Sequence, residues 1–299
     1  MNPLNTILVK TIPLFPKGFV KLFANRYIAG ETLEQEVSTV KALNSKKIMA
    51  TMDVLGESIK NKEEAIKAKN EALQVLEAIE KHKLDANLSV KLTMFGLAMD
   101  YDFCKGLFTE ILDFANSLGV FVRIDMEDSP VTDITIKMYK EMRKNYERVG
   151  LVIQAYLRRS YNDVYKLTEE KSNFRLCKGI YIEPESLAYK KKEEIRENFL
   201  KLLNLMLDRK AYVGIATHDD YLTMNSENML KDYGLGREQY EFQMLLGVRE
   251  WLRDQLAERN HRMRIYVPYG ERWYEYSVRR FKENPNVAGH VLKSLIGIR

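Results

Sequence analysis

The sequence is poor in cysteine and proline and has no long apolar run, and each shortage excludes a class of protein. Two cysteines occur among 299 residues, Cys104 and Cys177, too far apart for a CxxC metal motif or a disulfide framework. This usage favours a reducing cytoplasm. Seven prolines and 15 glycines are too few for collagen or for low-complexity disorder. No uninterrupted apolar run reaches the roughly 18 residues that a membrane span needs.

Basic and acidic residues are nearly balanced, which argues against a nucleic-acid partner. The 47 basic and 42 acidic residues give a formal net charge of +5 and are interspersed along the chain. The apolar start, Leu4–Phe23, lacks the early basic region and the cleavage site of a signal peptide. We expect a cytoplasmic protein, at most peripheral at the inner face of the membrane. The stretch Leu4–Arg26 is interpreted as a helix packed on the fold, with membrane contact as the alternative.

Short runs rich in β-branched residues alternate with longer stretches of helical period. In Lys62–Lys83 the apolar residues step by three and four, which is typical of one buried helix stripe. Further helices are predicted over Phe103–Leu118, Thr132–Arg148, Leu187–Asp208 and Val248–Asn260. The predicted strands are Ile48–Asp53, Leu88–Leu92, Val120–Asp125, Leu151–Tyr156, Phe174–Lys178, Tyr212–Thr217, Tyr240–Met244 and Arg264–Val267. Gly119 and Gly150 each precede a strand, where we expect left-handed helix caps.

Repeated strand–helix units predict a parallel sheet with crossover helices. About eight units in about 250 residues favour an α/β fold closed into a (β/α)8 TIM barrel. An open doubly wound sheet is the alternative, and it is disfavoured because no GxGxxG motif follows a strand. We predict an N-terminal helical segment over residues 1–45 and one barrel domain over residues 46–299.

Polar residues occur at the carboxyl end of every predicted strand, the edge at which a barrel forms its active site. In strand order they are Asp53 and Glu57; Lys91; Asp125 and Glu127; Gln154, Tyr156 and Arg158; Arg175, Lys178 and Tyr181; Thr217 and His218; Gln243; and Tyr266. Taken singly, five of these residues also have a structural interpretation. They are Lys91 reaching solvent, Asp125 capping a helix, Arg175 as a surface charge, His218 as a satisfied buried histidine and Gln243 bonding a neighbouring loop. Their occurrence together at one edge is what indicates a functional site.

The last predicted helix carries a cluster of charged residues on one face. Tyr276, Arg279, Arg280 and Glu283 follow one another at i, i+3, i+4 and i+7. The functional interpretation is a clamp, in which two guanidinium groups bind a carboxylate while Glu283 meets an amine of the same molecule. Such a clamp suits an amino acid zwitterion. The alternative is a solvated face with an Arg279–Glu283 ion pair.

At these residues the sequence resembles the proline dehydrogenase family, in the same order from about Gly30 to the end. The matching segments are MDVLGES at Met52–Ser58, SVKLT at Ser89–Thr93, RIDMED at Arg123–Asp128, VIQAYLRR at Val152–Arg159, FRLCKGIY at Phe174–Tyr181, IATHDD at Ile215–Asp220, YEFQMLLG at Tyr240–Gly247 and RIYVPYGERWYEYSVRRFKEN at Arg264–Asn284. The last segment, with its paired arginines and following glutamate, is the most specific, and it favours the clamp.

The resemblance implies a flavoenzyme on a distorted barrel, with FAD over the strand ends. It implies oxidation of L-proline to Δ1-pyrroline-5-carboxylate, the first step of proline degradation to glutamate, with hydride passing from proline C5 to flavin N5. Electrons would then pass to a membrane quinone. The chain ends soon after the arginine helix, so we expect no fused aldehyde dehydrogenase domain. The product would pass to a separate pyrroline-5-carboxylate dehydrogenase, as in monofunctional bacterial forms.

For the substrate, the resemblance implies a carboxylate clamp of Arg279 and Arg280, with Glu283 facing the amine. It implies that Lys91 approaches the carboxylate and that Asp125 is its buried partner. The residues expected to line the proline ring pocket are Tyr181, Leu245, Tyr266 and Tyr276. Glu57 resembles the acidic residue that pairs with Arg279 as a gate. Tyr266 is expected to crowd a ring hydroxyl, which favours proline over hydroxyproline.

For the flavin, the resemblance implies that Arg175 lies beside N5, where a cation stabilises the charge that develops on reduction. Asp125 and Arg175 are thus the expected catalytic residues. The other expected cofactor contacts are Ile124 and Gln154 at the ring, Cys177, Lys178, Gly179 and Tyr181 after strand five, and Thr217 and His218 on the adenine side. No metal site is predicted.

Two other functions are compatible with parts of the sequence. A Schiff-base lyase would use Lys91 to attack a carbonyl, and it needs a desolvated lysine without a close carboxylate. A binding barrel that has the clamp but no flavin is the other alternative. Borohydride trapping tests the lyase, and co-purification of FAD tests the binding barrel.

Overall fold

Eight parallel strands form a closed barrel in which each strand pairs with the next along the chain and the last pairs with the first. The computed structural model describes residue 21 and residues 26–56, 59–168, 172–274 and 277. The strands are β1 Met49–Val54, β2 Ala86–Val90, β3 Val122–Ile124, β4 Val149–Gln154, β5 Asn173–Cys177, β6 Tyr212–Ala216, β7 Tyr240–Leu245 and β8 Met263–Tyr269. The predicted (β/α)8 barrel is therefore confirmed, with every predicted strand within a residue or two of its expected bounds.

Helices lie on the outside of the barrel, where the first precedes β1 and each of the others lies between two successive strands. They are α1 Leu33–Asn44, α2 Lys62–Lys81, α3 Tyr101–Leu118, α4 Ser129–Arg143, α5 Ser160–Leu167, α6 Lys192–Asp208, α7 Asp220–Asp232 and α8 Glu250–Glu258. The predicted helices are confirmed, although α4 begins earlier than expected because Asp128 and Pro130 form its start, and it ends at Arg143 rather than at Arg148. Helix α6 begins only at Lys192, because Leu187 and Ala188 turn back on Pro184. Helices α5 and α7 were not among the predicted helices.

The two glycines predicted as helix caps differ. Gly119 ends α3 with φ of +68°, as predicted. Gly150 instead lies inside β4, so its prediction as a left-handed cap is wrong. A Cβ atom at this position would lie 2.4 Å from Arg123 Nη1 and 2.6 Å from the Asn173 carbonyl oxygen. A glycine is therefore needed at position 150 because the Arg123 side chain approaches too closely for a Cβ atom, and not because of its backbone conformation.

Successive strand residues face opposite sides of the barrel wall, and the two sides differ in chemistry. Outward residues such as Met52, Leu88, Phe174 and Phe242 are fully buried and apolar. The inward residues are mostly polar over the whole height of the barrel: Thr51, Asp53, Asn87, Ser89, Lys91, Arg123, Asp125, Gln154, Asn173, Arg175, Tyr212, Glu241, Gln243, Arg264 and Tyr266. The interiors of such barrels are commonly filled by branched apolar side chains. Because the interior of this barrel is mostly polar instead, it is suited to binding a polar or charged molecule.

The segment before the barrel packs on the junction of β1 and β8. The Ala29 amide donates to the Pro268 carbonyl oxygen at 2.9 Å. Glu36 of α1 is fully buried, and its Oε1 accepts from the Asp53 backbone N–H at 3.2 Å. Helix α1 thus contacts the strand that carries Asp53. The predicted N-terminal stretch Leu4–Arg26 lies outside the described residues, apart from Lys21 and Arg26 themselves.

Among the helices that the structure describes, none has the length and apolar character needed to cross a membrane.

Candidate active site

Lys91, immediately after β2, lies at the centre of a buried polar cluster. Its Nζ atom donates to Asp53 Oδ1 at 2.9 Å and lies 3.8 Å from Asp125 Oδ2. It also donates to Tyr266 Oη at 3.4 Å. Lys91 is 9% exposed, so the interpretation of a lysine reaching solvent is wrong. Asp125 is one partner of Lys91, as the resemblance implies, but Asp53 of the adjacent strand is nearer.

Arg175 of β5 approaches the same cluster from the opposite wall. Its Nη1 donates to Asp125 Oδ1 at 2.6 Å, and its Nε donates to Gln243 Oε1 at 2.6 Å. The guanidinium carbon lies 5.1 Å from the centre of the Tyr266 ring, whose hydroxyl donates to Asp125 Oδ2 at 2.8 Å. Asp125 therefore accepts hydrogen bonds from residues of both β5 and β8. The alternative interpretation, in which Asp125 caps a helix, is wrong.

Burial and neighbouring charges oppose one another in this cluster. Burial favours a lower pKa for Lys91, but the Asp53 and Asp125 carboxylates outweigh it and hold the pKa above its ordinary value. Burial favours a higher pKa for Asp125, but Arg175 and Lys91 hold that pKa below its ordinary value. The pKa of Asp53 is raised by burial, an effect that Lys91 reduces. Lys91 is therefore a cation at neutral pH, and Asp125 is a carboxylate.

These charges bear on the Schiff-base alternative. A lysine that attacks a carbonyl must be neutral, and its pKa is then lowered by burial or by another cation. Lys91 has two carboxylates within 4 Å and a raised pKa. The arrangement therefore disfavours the lyase.

The turn after β5 passes close to the end of β4. Gly179 has φ of +104°, and a Cβ there would lie 2.0 Å from the Tyr156 ring, so only glycine fits. Lys178 precedes it with a side chain that is 41% exposed, 3.5 Å from Asp219 Oδ2. Cys177 and Tyr181 are half-buried. This turn combines a cation with closely packed backbone.

The strands on either side of β5 contribute polar groups to the same end of the barrel. The buried Gln154 side chain donates through Nε2 to the Glu127 carbonyl oxygen at 2.8 Å. Thr217 Oγ1 accepts from the Asp219 amide at 3.2 Å. His218 Nε2 accepts from the Leu245 amide at 2.9 Å, a contact that requires an unprotonated Nε2.

One predicted residue, Ile124, is not brought into the cluster, and several others cannot be placed because they lie outside the described residues. Ile124 is fully buried in the apolar core and alternates with the inward Arg123 and Asp125, so its side chain faces away from the barrel interior. The structure thus does not support a flavin contact by this side chain. The predicted residues Glu57, Tyr276, Arg279, Arg280 and Glu283 lie outside the described residues. Among the described residues, no group of three or more potential ligands is placed to hold a metal ion.

Two inward residues have larger roles than their sequence interpretation gave them. Asp53 is noted only as a strand-end residue, yet it is the nearest partner of Lys91. Gln243 bonds Arg175 and Glu241 rather than a neighbouring loop. The alternation of β7, in which Glu241, Gln243 and Leu245 share one face, is the signal that could have indicated this.

Comparison with known proteins identifies the family. The family model described as proline dehydrogenase matches residues 37–293 of the chain. The chain belongs to the proline dehydrogenase family. This confirms the predicted family, and with it an oxidoreductase of proline catabolism within a family of flavoproteins.

Curated relatives in this family match almost end to end. Proline dehydrogenase 1 of Bacillus subtilis (strain 168) is 38% identical over 288 residues, which cover 96% of this chain and 95% of the relative. Proline dehydrogenase of Deinococcus radiodurans is 32% identical over 278 residues, which cover 91% of this chain and 90% of the relative.

A solved structure of the family agrees with the barrel. Proline utilization A (PutA) from Bdellovibrio bacteriovorus, crystallised after inactivation by N-propargylglycine, superposes with a TM-score of 0.85 at 26% identity. The match covers 93% of this chain and 36% of that chain, so the present chain is similar to about a third of the larger protein.

Proposed function

We propose that the protein binds FAD and oxidises L-proline to Δ1-pyrroline-5-carboxylate, with a quinone as the electron acceptor. The observation that carries this proposal is the buried cluster in which Asp53, Asp125 and Tyr266 hold a charged Lys91 beside Arg175. Two cations at the strand ends of a barrel are suited to a small anionic substrate. Membership of the family makes proline the first candidate.

Lys91 is the proposed ligand of the substrate carboxylate. An ammonium group has three N–H donors, and Lys91 directs donors at Asp53 and, over a long contact, at Tyr266. The cluster fixes the ammonium in place, so a carboxylate meets it without reordering of the side chain. Arg279 and Arg280 complete the proposed clamp on the strength of the resemblance.

Burial of the site also favours the reactive form of the substrate. A secondary amine transfers hydride from its adjacent carbon only after it has lost its proton. The charges of Lys91 and Arg175 are paired with the carboxyl groups of Asp53 and Asp125, so they give the cluster no net positive charge. Burial of the site disfavours the charged form of an amine and so lowers the pKa of the substrate ammonium group. We therefore expect proline to react from its neutral amine form without a nucleophilic side chain.

The strand-end residues fit a flavin nucleotide. Lys178 beside the Gly179 turn offers a partly exposed cation and close backbone approach, as diphosphate binding requires. Gln154 and Arg175 are proposed to contact the flavin ring, Thr217 and His218 to lie on the adenine side, and Tyr181 and Cys177 to flank the turn. When bound, FAD supplies the hydride acceptor, and Arg175 stabilises the negative charge that accompanies reduction.

The proposal includes three further parts. They are a quinone as the electron acceptor, a cytoplasmic location that is at most peripheral at the membrane, and a separate pyrroline-5-carboxylate dehydrogenase that consumes the product. Reduction of a soluble quinone analogue, coupled to proline consumption, tests the acceptor. A family enzyme that consumes proline but reduces no quinone would contradict that part alone.

The decisive test is a visible absorption spectrum of the purified protein before and after anaerobic addition of L-proline. We expect a flavin spectrum that bleaches with L-proline but not with hydroxyproline, since the Tyr266 ring would crowd an added hydroxyl. A flavin spectrum unmoved by proline would contradict the substrate and direct attention to other cyclic amines. A colourless protein that cannot be reconstituted with FAD would contradict the cofactor.

A further inference from the structure

A row of hydrogen bonds inside the barrel leads from the active site toward its opposite end. Arg175 Nε donates to Gln243 Oε1 at 2.6 Å, and Gln243 Nε2 donates to Glu241 Oε1 at 2.5 Å. Arg264 Nε donates to the same Glu241 oxygen at 2.7 Å. Gln243 and Glu241 are 4% and 2% exposed. The row therefore connects the proposed flavin-side cation to a buried ion pair.

The charge of Glu241 fixes the direction of the Gln243 amide. An ionised carboxylate only accepts hydrogen bonds, so the amide nitrogen must face Glu241 and the amide oxygen must face Arg175. Burial favours a higher pKa for Glu241, but Arg264 outweighs it and lowers the pKa to about 2. Glu241 thus remains an acceptor at any working pH, and the amide does not turn over.

Gly214 of β6 provides the space in which the amide lies. It pairs in register with Arg175 on one side and with Glu241 on the other. A Cβ at Gly214 would lie 2.3 Å from Gln243 Nε2 and 2.9 Å from its Cδ. Three neighbouring strands therefore form a slot for this one side chain.

We propose that Gln243 is the positioning residue for Arg175. With Arg175 Nε held by Gln243, Nη1 reaches Asp125 and the guanidinium group stays against the Tyr266 ring. Gln243 does this as a neutral acceptor, so it adds no negative charge beside Arg175. The inference rests on the proposed function, in which Arg175 lies beside the flavin.

The test is a double-mutant cycle between Gln243→Ala and Gly214→Ala. Each single variant should lower kcat by roughly ten- to a hundredfold, because a misplaced catalytic group loses that much. KM for proline and flavin content should stay near those of the wild type. In the Gln243→Ala background the added methyl group of Gly214→Ala meets an empty slot, so the double variant should match Gln243→Ala alone.

Two further variants act as controls. Gly106→Ala, at an exposed position of α3 where a Cβ meets nothing within 4 Å, should leave kcat unchanged. Gln243→Met fills the slot without an acceptor and should lose kcat as Gln243→Ala does, which separates the lost hydrogen bond from a cavity.

The Nε–H resonance of Arg175 provides a readout that does not depend on activity. In the wild type we expect a slowly exchanging signal in a nitrogen–proton correlation spectrum, and its loss in Gln243→Ala. Additive effects in the cycle, or an unchanged resonance, would overturn the inference. If the wild type holds no flavin and leaves proline unoxidised, the proposed function fails, whereas the resonance still decides whether Gln243 positions Arg175.

Discussion

Lys91 has two carboxylate partners, and their environments make them unequal. Asp125 also accepts from Arg175, Ser89 and Tyr266, so its pKa lies below the ordinary value although it is buried. Asp53 has fewer donors, and burial raises its pKa. Asp125 is therefore the fixed anion of the site, and Asp53 is the nearer carboxylate that gains a proton first as the pH falls.

Replacing Lys91 with methionine removes the proposed carboxylate ligand while retaining most of the side-chain volume. We expect KM for proline to rise by roughly 10- to 100-fold, since a hydrogen bond to a charged group contributes about 1.5–3 kcal/mol. Steady-state kinetics on flavin-loaded protein measures this change. A KM within twofold of the wild type would remove Lys91 from the substrate site.

Lys91→Met also leaves Asp53 buried without its cation, which destabilises a protein by about 3–5 kcal/mol. The double variant with Asp53→Asn removes that uncompensated charge. It should unfold at a higher urea concentration than Lys91→Met while keeping the raised KM, which separates binding from stability.

The Tyr266 hydroxyl stabilises Asp125 separately from any contact of the ring. Tyr266→Phe removes the 2.8 Å hydrogen bond to Asp125 but keeps the ring that packs on Arg175. We expect a loss of about 1.5–3 kcal/mol in the free energy of unfolding at neutral pH. Urea denaturation measures it, with Tyr165→Phe, an exposed tyrosine, as the matched control. Equal stability of the two variants would show that the hydroxyl contributes nothing to the cluster.

Helix ends at the amino-terminal edge of the barrel share an unusual feature. Lys47, Lys83 and Lys210 follow helices with φ of 60°, 49° and 57°, a conformation that glycine adopts most easily. A left-handed conformation costs an L residue roughly 1–2 kcal/mol. A lysine there offsets part of that cost by placing a cation near the carboxyl end of the helix.

Lys210→Gly should therefore stabilise the protein. After the entropy lost by glycine on folding, we expect the free energy of unfolding to rise by about 0.5–1 kcal/mol. The same substitution at the exposed Lys140 of α4 should instead lower it by about 1 kcal/mol, because glycine is a poor helix former. Urea denaturation of both variants measures these changes in the free energy of unfolding. A loss of stability in Lys210→Gly would show that the interaction of the lysine with the helix dipole outweighs the backbone strain.

The strands were predictable because each contains short apolar runs between turns and helical stretches. Helices α5 and α7 were not, because their apolar residues are few and Tyr165, Tyr221 and Met224 remain exposed. Gly150 was misread because the reason for a glycine there lies in Arg123, a residue of another strand. The local pattern of apolar residues thus predicts whether a segment forms a strand or a helix. Exceptions such as Gly150 depend on contacts between strands, which a local pattern does not contain.

Contacts between strands also limited what could be predicted of the candidate active site. Strand order alone places Lys91, Asp125 and Arg175 at one edge of the barrel. Their pairing depends on register and side-chain reach, which the sequence does not state: Asp53 lies opposite Ser89, so the next inward residue of the adjacent strand, Lys91, reaches it. The residues were therefore predictable, and the nearest partner of Lys91 was not.

In the molecule as a whole, the residues that stabilise the fold and the residues of the candidate active site lie on opposite faces of the same sheet. The outward face packs apolar side chains against the helices, and burial of such surface is the main stabilising contribution to folding. The inward face carries buried ion pairs, whose attraction is largely offset by desolvation. The interior therefore adds specificity to the site more than it adds stability.

Glu36 extends this polar system to the outer helix α1 and makes global stability depend on pH. It is fully buried, one oxygen accepts from the Asp53 amide, and Oε2 has no hydrogen-bond partner among the described residues. Burial and the nearby Asp53 charge raise its pKa well above the ordinary value of 4.5. The folded state therefore keeps a proton that the unfolded state releases.

It follows that the contribution of Glu36 to stability is complete below pH 4.5 and is lost as the pH rises toward its folded-state pKa. Glu36→Gln has no proton to lose, so its stability relative to the wild type should increase from about pH 5 to about pH 8. Urea denaturation across this range measures the difference. Glu34→Gln in the same helix is the control: the pKa of the exposed Glu34 is lowered, so its removal should not produce that increase. A difference for Glu36→Gln that is constant with pH would mean that Glu36 does not retain its proton on folding.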